Sequence, residues 1–241
     1  MHCACISILK GRGCVAETLP IARSPIIQAP PVVMVKTWPV SARSSPSPLR
    51  LIDCTPCEKT LFRGATDSAT ARVLNVGRGR VRRDESGMLV AGVSPAEWIV
   101  IGAPGVYLPS ALSQSSDGLA QSGIVDITHA RALIRIVGAD SAKVLSKLCG
   151  INFADTTTAD DTALRTSVAR LVVEVIRNDL AQPGTLATNR VRLARSYLIM
   201  CERSAGQYLF DALLDAGQEF GIDVEGFAAI GSIYNGGVAT R

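Results

Sequence analysis

Apolar positions along this chain fall into two kinds of run. Short, nearly continuous ones are rich in Val, Ile and Leu and bounded by Gly, Pro, Ser or Asp, which predicts β-strands. They are "MLVAGV" (88–93), "EWIVIGA" (97–103), "GIVDIT" (123–128), "ALIRIVG" (132–138) and "SYLIMCE" (196–202). "LRLID" (49–53) is a shorter strand candidate, and "ALRTSVARLVVEVIRND" (163–179) reads as one or two strands. The first two runs are joined only by "SPA", too short for a parallel crossover, so they are expected to pair antiparallel.

The second kind of run has apolar residues at spacings of three and four, the period of a helix. After Asp140 and Ser141, two candidate caps, Val144, Leu145, Leu148 and Cys149 form a one-sided stripe that Gly150 is placed to end. Leu209, Ala212, Leu213, Ala216 and Phe220 make a second stripe. Ser204 with Gln207 fits a capping box before it, and Gly221 stops it. "PGVYLPSALSQSSDG" (104–118) is expected to be a short helix and a loop, and "LAQPGTLATNRVRLA" (180–194) a polar loop. Strands and helices mix without strict alternation, which predicts an α+β fold with helices packed on a mostly antiparallel sheet.

Composition divides the chain. Residues 1–46 contain "RSPIIQAPPVV" and "SARSSPSP", whose Pro, Ser and Arg content and lack of period predict a flexible leader. Met34 offers an alternative start, which would make the first 33 residues an overextended gene start. Residues 47–225 form the expected single domain and 226–241 a Gly-rich tail. Charge follows the same division: residues 1–90 carry 13 Lys and Arg against 6 acids, the remainder 12 against 15. The basic bias therefore belongs to the front, and nothing calls for nucleic acid. No run reaches the length of a membrane-spanning helix, and the first residues do not form a secretory signal. Seven scattered cysteines, an odd number, point to reduced thiols in a cytoplasmic protein.

Four features carry candidate chemistry. His129 has Asp126 three residues before it and Arg131 two after, so an oriented general base is conceivable. Side chains at odd offsets on an extended chain point to opposite faces, however, and a turn in which Asp126 accepts backbone N–H groups explains the cluster better. Cys54 and Cys57 form a C-x-x-C without a surrounding βαβ pattern or a second ligand pair, so a surface turn is preferred to a redox or zinc site. Arg78, Arg80 and Arg82 share one face if extended, with Arg83 opposite. No aromatic residues interleave for base stacking, which favours a solvated hairpin edge over phosphate binding. Gly77 and Gly79 lack the third glycine of a dinucleotide fingerprint. Tyr208, Phe210 and Leu214 broaden the last helix's apolar face, as expected for burial under the protein's own sheet. No catalytic, cofactor-binding or metal-binding residue is predicted.

The order of these landmarks resembles the gamma subunit family of heterotetrameric sarcosine oxidase. The resemblance is carried by "SPLRLIDCTPCEKTLFRG", "VSPAEWIVIGAPG", "IVDITHARALIRIVGADSAKVLSKLCGINF", "LRTSVARLVVEVIR" and "RSYLIMCERSAGQYLFDALLDAGQEFGIDV", over roughly residues 47–225. It implies the fold of the folate-binding domain of glycine-cleavage T-proteins and folate-dependent tRNA-modifying proteins. It also implies membership of a complex that demethylates sarcosine to glycine, releasing a one-carbon unit and hydrogen peroxide. FAD, FMN, NAD and tetrahydrofolate are then expected on alpha, beta and delta-type partner subunits, with none on this chain. Two alternatives stay open: a stand-alone folate-dependent aminomethyltransferase, and an RNA-acting relative. Against the second, "KGCYxGQE" of the tRNA-linked proteins has no counterpart here.

Overall fold

The computed structural model describes residues 21–106, 123–182 and 192–230. In chain order its strands are β1 (Val32–Val35), β2 (Trp38–Ser41), β3 (Arg50–Asp53), β4 (Glu58–Arg63), β5 (Val81–Arg83), β6 (Leu89–Ser94) and β7 (Glu97–Gly102). Then come β8 (Gly123–Asp126), β9 (Arg131–Val137), β10 (Ala163–Val168), β11 (Leu171–Arg177), β12 (Leu180–Gln182), β13 (Arg192–Ala194), β14 (Ser196–Glu202) and β15 (Asp223–Glu225). The α-helices are α1 (Ala69–Leu74), α2 (Ser141–Leu148) and α3 (Gly206–Gly217).

Two sheets organise these elements. A six-stranded sheet runs β10-β11-β14-β9-β3-β15, antiparallel except for the β15–β3 pair, and a five-stranded antiparallel sheet runs β5-β6-β7-β4-β8. The near-continuous apolar runs are explained by burial on both faces. On β9, Ala132, Ile134 and Ile136 face α2 and α3, where Val144, Leu145, Leu209 and Leu213 meet them. Leu133 and Val137 face the other way, onto Leu89, Ile99 and Ile101 of the second sheet. The outer face of the five-stranded sheet is closed by α1 over Phe62, Val90, Trp98 and Val100. The α+β class and the predominantly antiparallel pairing are as expected. "GIVDIT" and "ALIRIVG", adjacent in sequence, separate into different sheets.

Local chemistry sets the ends of the elements. Gly138 sits at φ 141°, and a Cβ there would lie 2.3 Å from the Pro48 carbonyl, so the chain can leave β9 for α2 only through a glycine. At α2, Asp140 makes no side-chain capping bond; it pairs with Lys143 at 2.7 Å, while the Ser141 hydroxyl donates to Gly138 O. The Ser204–Gln207 capping box does not form. Ser204 lies in a 3-10 turn, and Gln207 instead accepts from the Ile27 N–H and donates to Asp211. The expected stop holds: α3 passes through a second 3-10 turn to Gly221 at φ 67°. The run 163–179 is two strands, β10 and β11, joined at Ala169 and Arg170, both at positive φ.

The flexible leader expected over residues 1–46 does not hold for residues 21–46. β1 and β2 form a hairpin that buries Trp38 and Val40, and Ile26 joins the helix-side core. Short alternation with outward Val32 and Met34 hides the hairpin from a compositional reading. A start at Met34 would remove Ile26 and half of β1. Residues 226–230 are also packed: Gly226 and Phe227 donate to Arg43 and Ser41 carbonyls, and Ile230 is buried. The helix and loop expected over 104–118 and the centre of the loop over 180–194 fall largely outside the described residues. Only the ends of the latter are seen, paired as β12 and β13.

Candidate functional site

Register places a polar cavity. In the six-stranded sheet Arg50 lies opposite Val137, Ser196 opposite the same Val137, and Arg177 opposite Tyr197. The starts of β3 and β14 and the ends of β9 and β11 therefore meet at one end of the sheet. There they frame a cavity of about 720 Å³ whose walls include Arg50, Arg177, Arg195, Asp155 and Asp179.

Its floor is a buried ion pair. Arg177 donates through Nε and Nη2 to the two oxygens of Asp179, at 3.2 and 2.8 Å, in the fork geometry that carboxylates favour. Asp179 also accepts from the Ser196 N–H at 3.0 Å. The Arg177 Nη1 reaches Asp155 at 2.7 Å and donates to the Thr158 carbonyl. These bonds, that from Asp179 first, hold the guanidinium more firmly protonated than usual. At the rim, Arg195 Nη2 donates to the same Asp155 oxygen at 2.6 Å. The bond from Arg177, aided by the Arg195 charge, holds the Asp155 carboxyl below the usual carboxylate range, although its side chain is 62% exposed. Arg50 Nη1 lies 3.9 Å from Glu225.

The C-x-x-C forms the turn that was expected, but in the interior instead of at the surface. Cys54 and Cys57 are fully buried between the two sheets, with Cys57 N donating to Cys54 O. Asp53 accepts from Thr55 N, Thr55 Oγ1 accepts from Leu133 N, and the buried Lys59 Nζ donates to the carbonyls of Thr55 and Cys57, each at 2.7 Å. These bonds satisfy the polar groups that made the motif look like a surface turn. Burial pushes both thiols well above their ordinary range and pulls the Lys59 ammonium down to about 8. Protonated, enclosed thiols are poor nucleophiles. Among the described residues no group of three or more His, Cys, Asp or Glu is arranged to hold a metal ion.

The His129 cluster disperses, as the turn reading expects. Asp126 accepts from Thr128 N at 2.8 Å, Arg131 pairs with Glu202 at 2.6 Å, and the exposed His129 ring stacks on Trp38 with centroids 4.9 Å apart. The basic stretch is a hairpin edge: Arg82 donates to Leu74 O and Arg83 to Gly87 O and Asn178, while Arg78 and Arg80 are exposed. Phe210 is buried, whereas Tyr208 is exposed with its hydroxyl bonded to Ala169 O. Sequence reasoning missed the arginines and aspartates of the cavity. They are spread from residue 50 to residue 195, and the one local signal was the charged "RND" ending an apolar strand.

This architecture is shared with two solved structures. The chain superposes on a chain of heterotetrameric sarcosine oxidase from Corynebacterium sp. U-96, solved in complex with pyrrole 2-carboxylate, with a TM-score of 0.59 and 22% identity. That match covers 74% of this chain and 89% of the other. It also superposes on the glycine cleavage system aminomethyltransferase T from Bartonella henselae, with a TM-score of 0.57 and 12% identity. Here 81% of this chain is covered but only 55% of the transferase, so the chain spans about half of that protein. The fold expected from the resemblance is thus the fold observed at this level. No protein-family model matches the chain, and no curated protein matches it in sequence.

Proposed function

We propose that this chain is a gamma-type, non-catalytic subunit of a heterotetrameric sarcosine-oxidase-like complex, with a structural role in assembly. The supporting observation is reciprocal coverage: the sarcosine oxidase chain is matched over nearly its whole length, the transferase over half. In this reading alpha, beta and delta-type subunits carry FAD, FMN, NAD and tetrahydrofolate, and the complex demethylates sarcosine in the cytoplasm. Among the described residues no helix is long and apolar enough to cross a membrane. The enclosed thiols and the dispersed His129 cluster fit a chain that performs no bond-making of its own.

The test is affinity purification of the tagged chain from native cells. Flavoprotein subunits should co-purify, and the assembly should consume oxygen with sarcosine, while the isolated chain is colourless and inert. Stoichiometric flavin on the isolated chain, or the absence of any flavoprotein partner, overturns the proposal. The transferase match favours a second reading, tetrahydrofolate binding by the chain alone, and saturable calorimetric titration of the isolated protein with that cofactor would select it.

A further inference from the structure

Arg135 interrupts the apolar run of β9 and is only 1% exposed. Register sets it opposite Leu198 and Ile52, on the face that meets the second sheet. Its Nε and Nη2 have no hydrogen-bond partner among the described residues. A guanidinium stays charged however deeply it is buried, so donors left unanswered there are costly. The neighbouring groups supply no anion. Cys54 and Cys57 feel the Arg135 charge but hold their protons, and the Asp53 carboxylate, opposite Ile134, belongs to the other face. Two further groups converge on the same corner. Ser196 lies opposite Val137, on the face of Arg135 and diagonally next to it; its Oγ is fully buried and also lacks a partner among the described residues. Arg83 pairs in register with the inward-facing Leu89 at the rim, near enough to Arg135 for the two charges to repel. It donates to neutral acceptors, Gly87 O and Asn178 Oδ1, while Asp161 and Asp84 favour its charge from beyond ion-pair contact. Asn178 N in turn donates to Ser196 O, which ties Arg83 to this corner.

We propose that the two sheets enclose a site for the carboxylate of a small molecule, gripped by Arg135, with Ser196 Oγ as a third donor and Arg83 as the charge at its entrance. The unused nitrogens set the ligand's shape. Nε and Nη2 are the pair with which Arg177 takes both oxygens of Asp179, so a group presenting two oxygens in one plane fits the same fork. The surroundings set the rest. Leu198, Ile52, Leu133 and Leu89 offer only apolar contact, which suits a monocarboxylate with a short apolar tail and leaves the further oxygens of a phosphate unsatisfied. Two guanidinium groups of like charge also favour an anion between them. The inference rests on these inner-face residues, and so stands or falls separately from the assembly role.

The experiment is thermal melting of the full chain, dialysed into chloride and then titrated with acetate or inorganic phosphate at matched ionic strength. Acetate should raise Tm saturably, by about 3–5 °C at ten times Kd, and phosphate should do less. Arg135→Met exchanges the buried charge for an apolar chain that the core can pack, and should abolish the acetate effect. Ser196→Ala should weaken acetate binding about threefold or more. Circular dichroism checks folding, and Arg135→Lys replaces the methionine variant if that misfolds; it keeps the charge, loses the fork, and should weaken binding about tenfold. Acetate acting no more strongly than chloride, phosphate acting more strongly than acetate, or an acetate effect that survives the Arg135 or Ser196 substitution unchanged would overturn the proposal.

Discussion

Lys59 shows how much a single buried charge costs and how its site offsets that cost. Its ammonium is enclosed between two sheets and bound by two carbonyls, and burial lowers its pKa from 10.5 to about 8. Between those values the unfolded chain holds a proton that the folded chain has released, so this residue makes stability rise as pH climbs from 8 to 10.5. The expected gain is on the order of 1–3 kcal/mol. Chemical denaturation of the wild type and of Lys59→Met across that window checks it: the wild type should gain relative to the variant, and a constant difference would refute the assignment. The same residues mark a limit of sequence reading. "CTPCEK" contains two thiols, one hydroxyl, a proline turn and two charges, a composition that looks exposed. The concealment of Cys54, Thr55, Cys57 and Lys59 depends on Leu133 and on Ala228, whose carbonyl accepts from the Cys54 thiol, and both lie far along the chain.

At the scale of elements, legibility followed length and burial. β6, β7, β9 and β14 are buried on both faces, so each leaves a nearly continuous apolar signature, interrupted in β9 by the buried Arg135, and each was readable. The hairpin of β1 and β2 was not, because four residues per strand give too short an alternation to stand out among prolines and serines. The capping box failed for a related reason. Gln207 found a partner in Ile27, a tertiary contact that no local pattern encodes. The hairpin buries Trp38, only 3% exposed and stacked on His129. Trp38→Ala should therefore cost about 3 kcal/mol, read as a lower urea midpoint, and should open residues 21–46 to limited proteolysis. Unchanged protection of that segment would mean that its anchorage lies elsewhere.

For the molecule as a whole, the decisive feature is the core shared by the two sheets. Ile52, Leu133, Leu198 and Met200 of one interlock with Leu89, Ile99 and Ile101 of the other, so neither sheet buries its inner face alone. The chain is accordingly expected to unfold as one cooperative unit. Tryptophan fluorescence, which reports on Trp38 and on Trp98 in the second sheet, should follow the same denaturation curve as far-ultraviolet circular dichroism. Two resolved transitions would show that the sheets are energetically separable. The helix-side and inter-sheet cores were foreseeable as apolar mass. How that mass divides between two sheets was not, because adjacent runs such as 123–128 and 132–138 look alike in sequence and part company only in pairing.

The parallel pairing of β15 with β3 has a kinetic consequence. Asp223, Val224 and Glu225 complete an edge whose other half, Arg50, Leu51 and Ile52, leaves the ribosome more than a hundred residues earlier. During synthesis the nascent sheet must wait with that strand's flank open, and loop-closure entropy makes the final docking slow. A strand so distant in the chain is therefore expected to be among the last to seal the sheet.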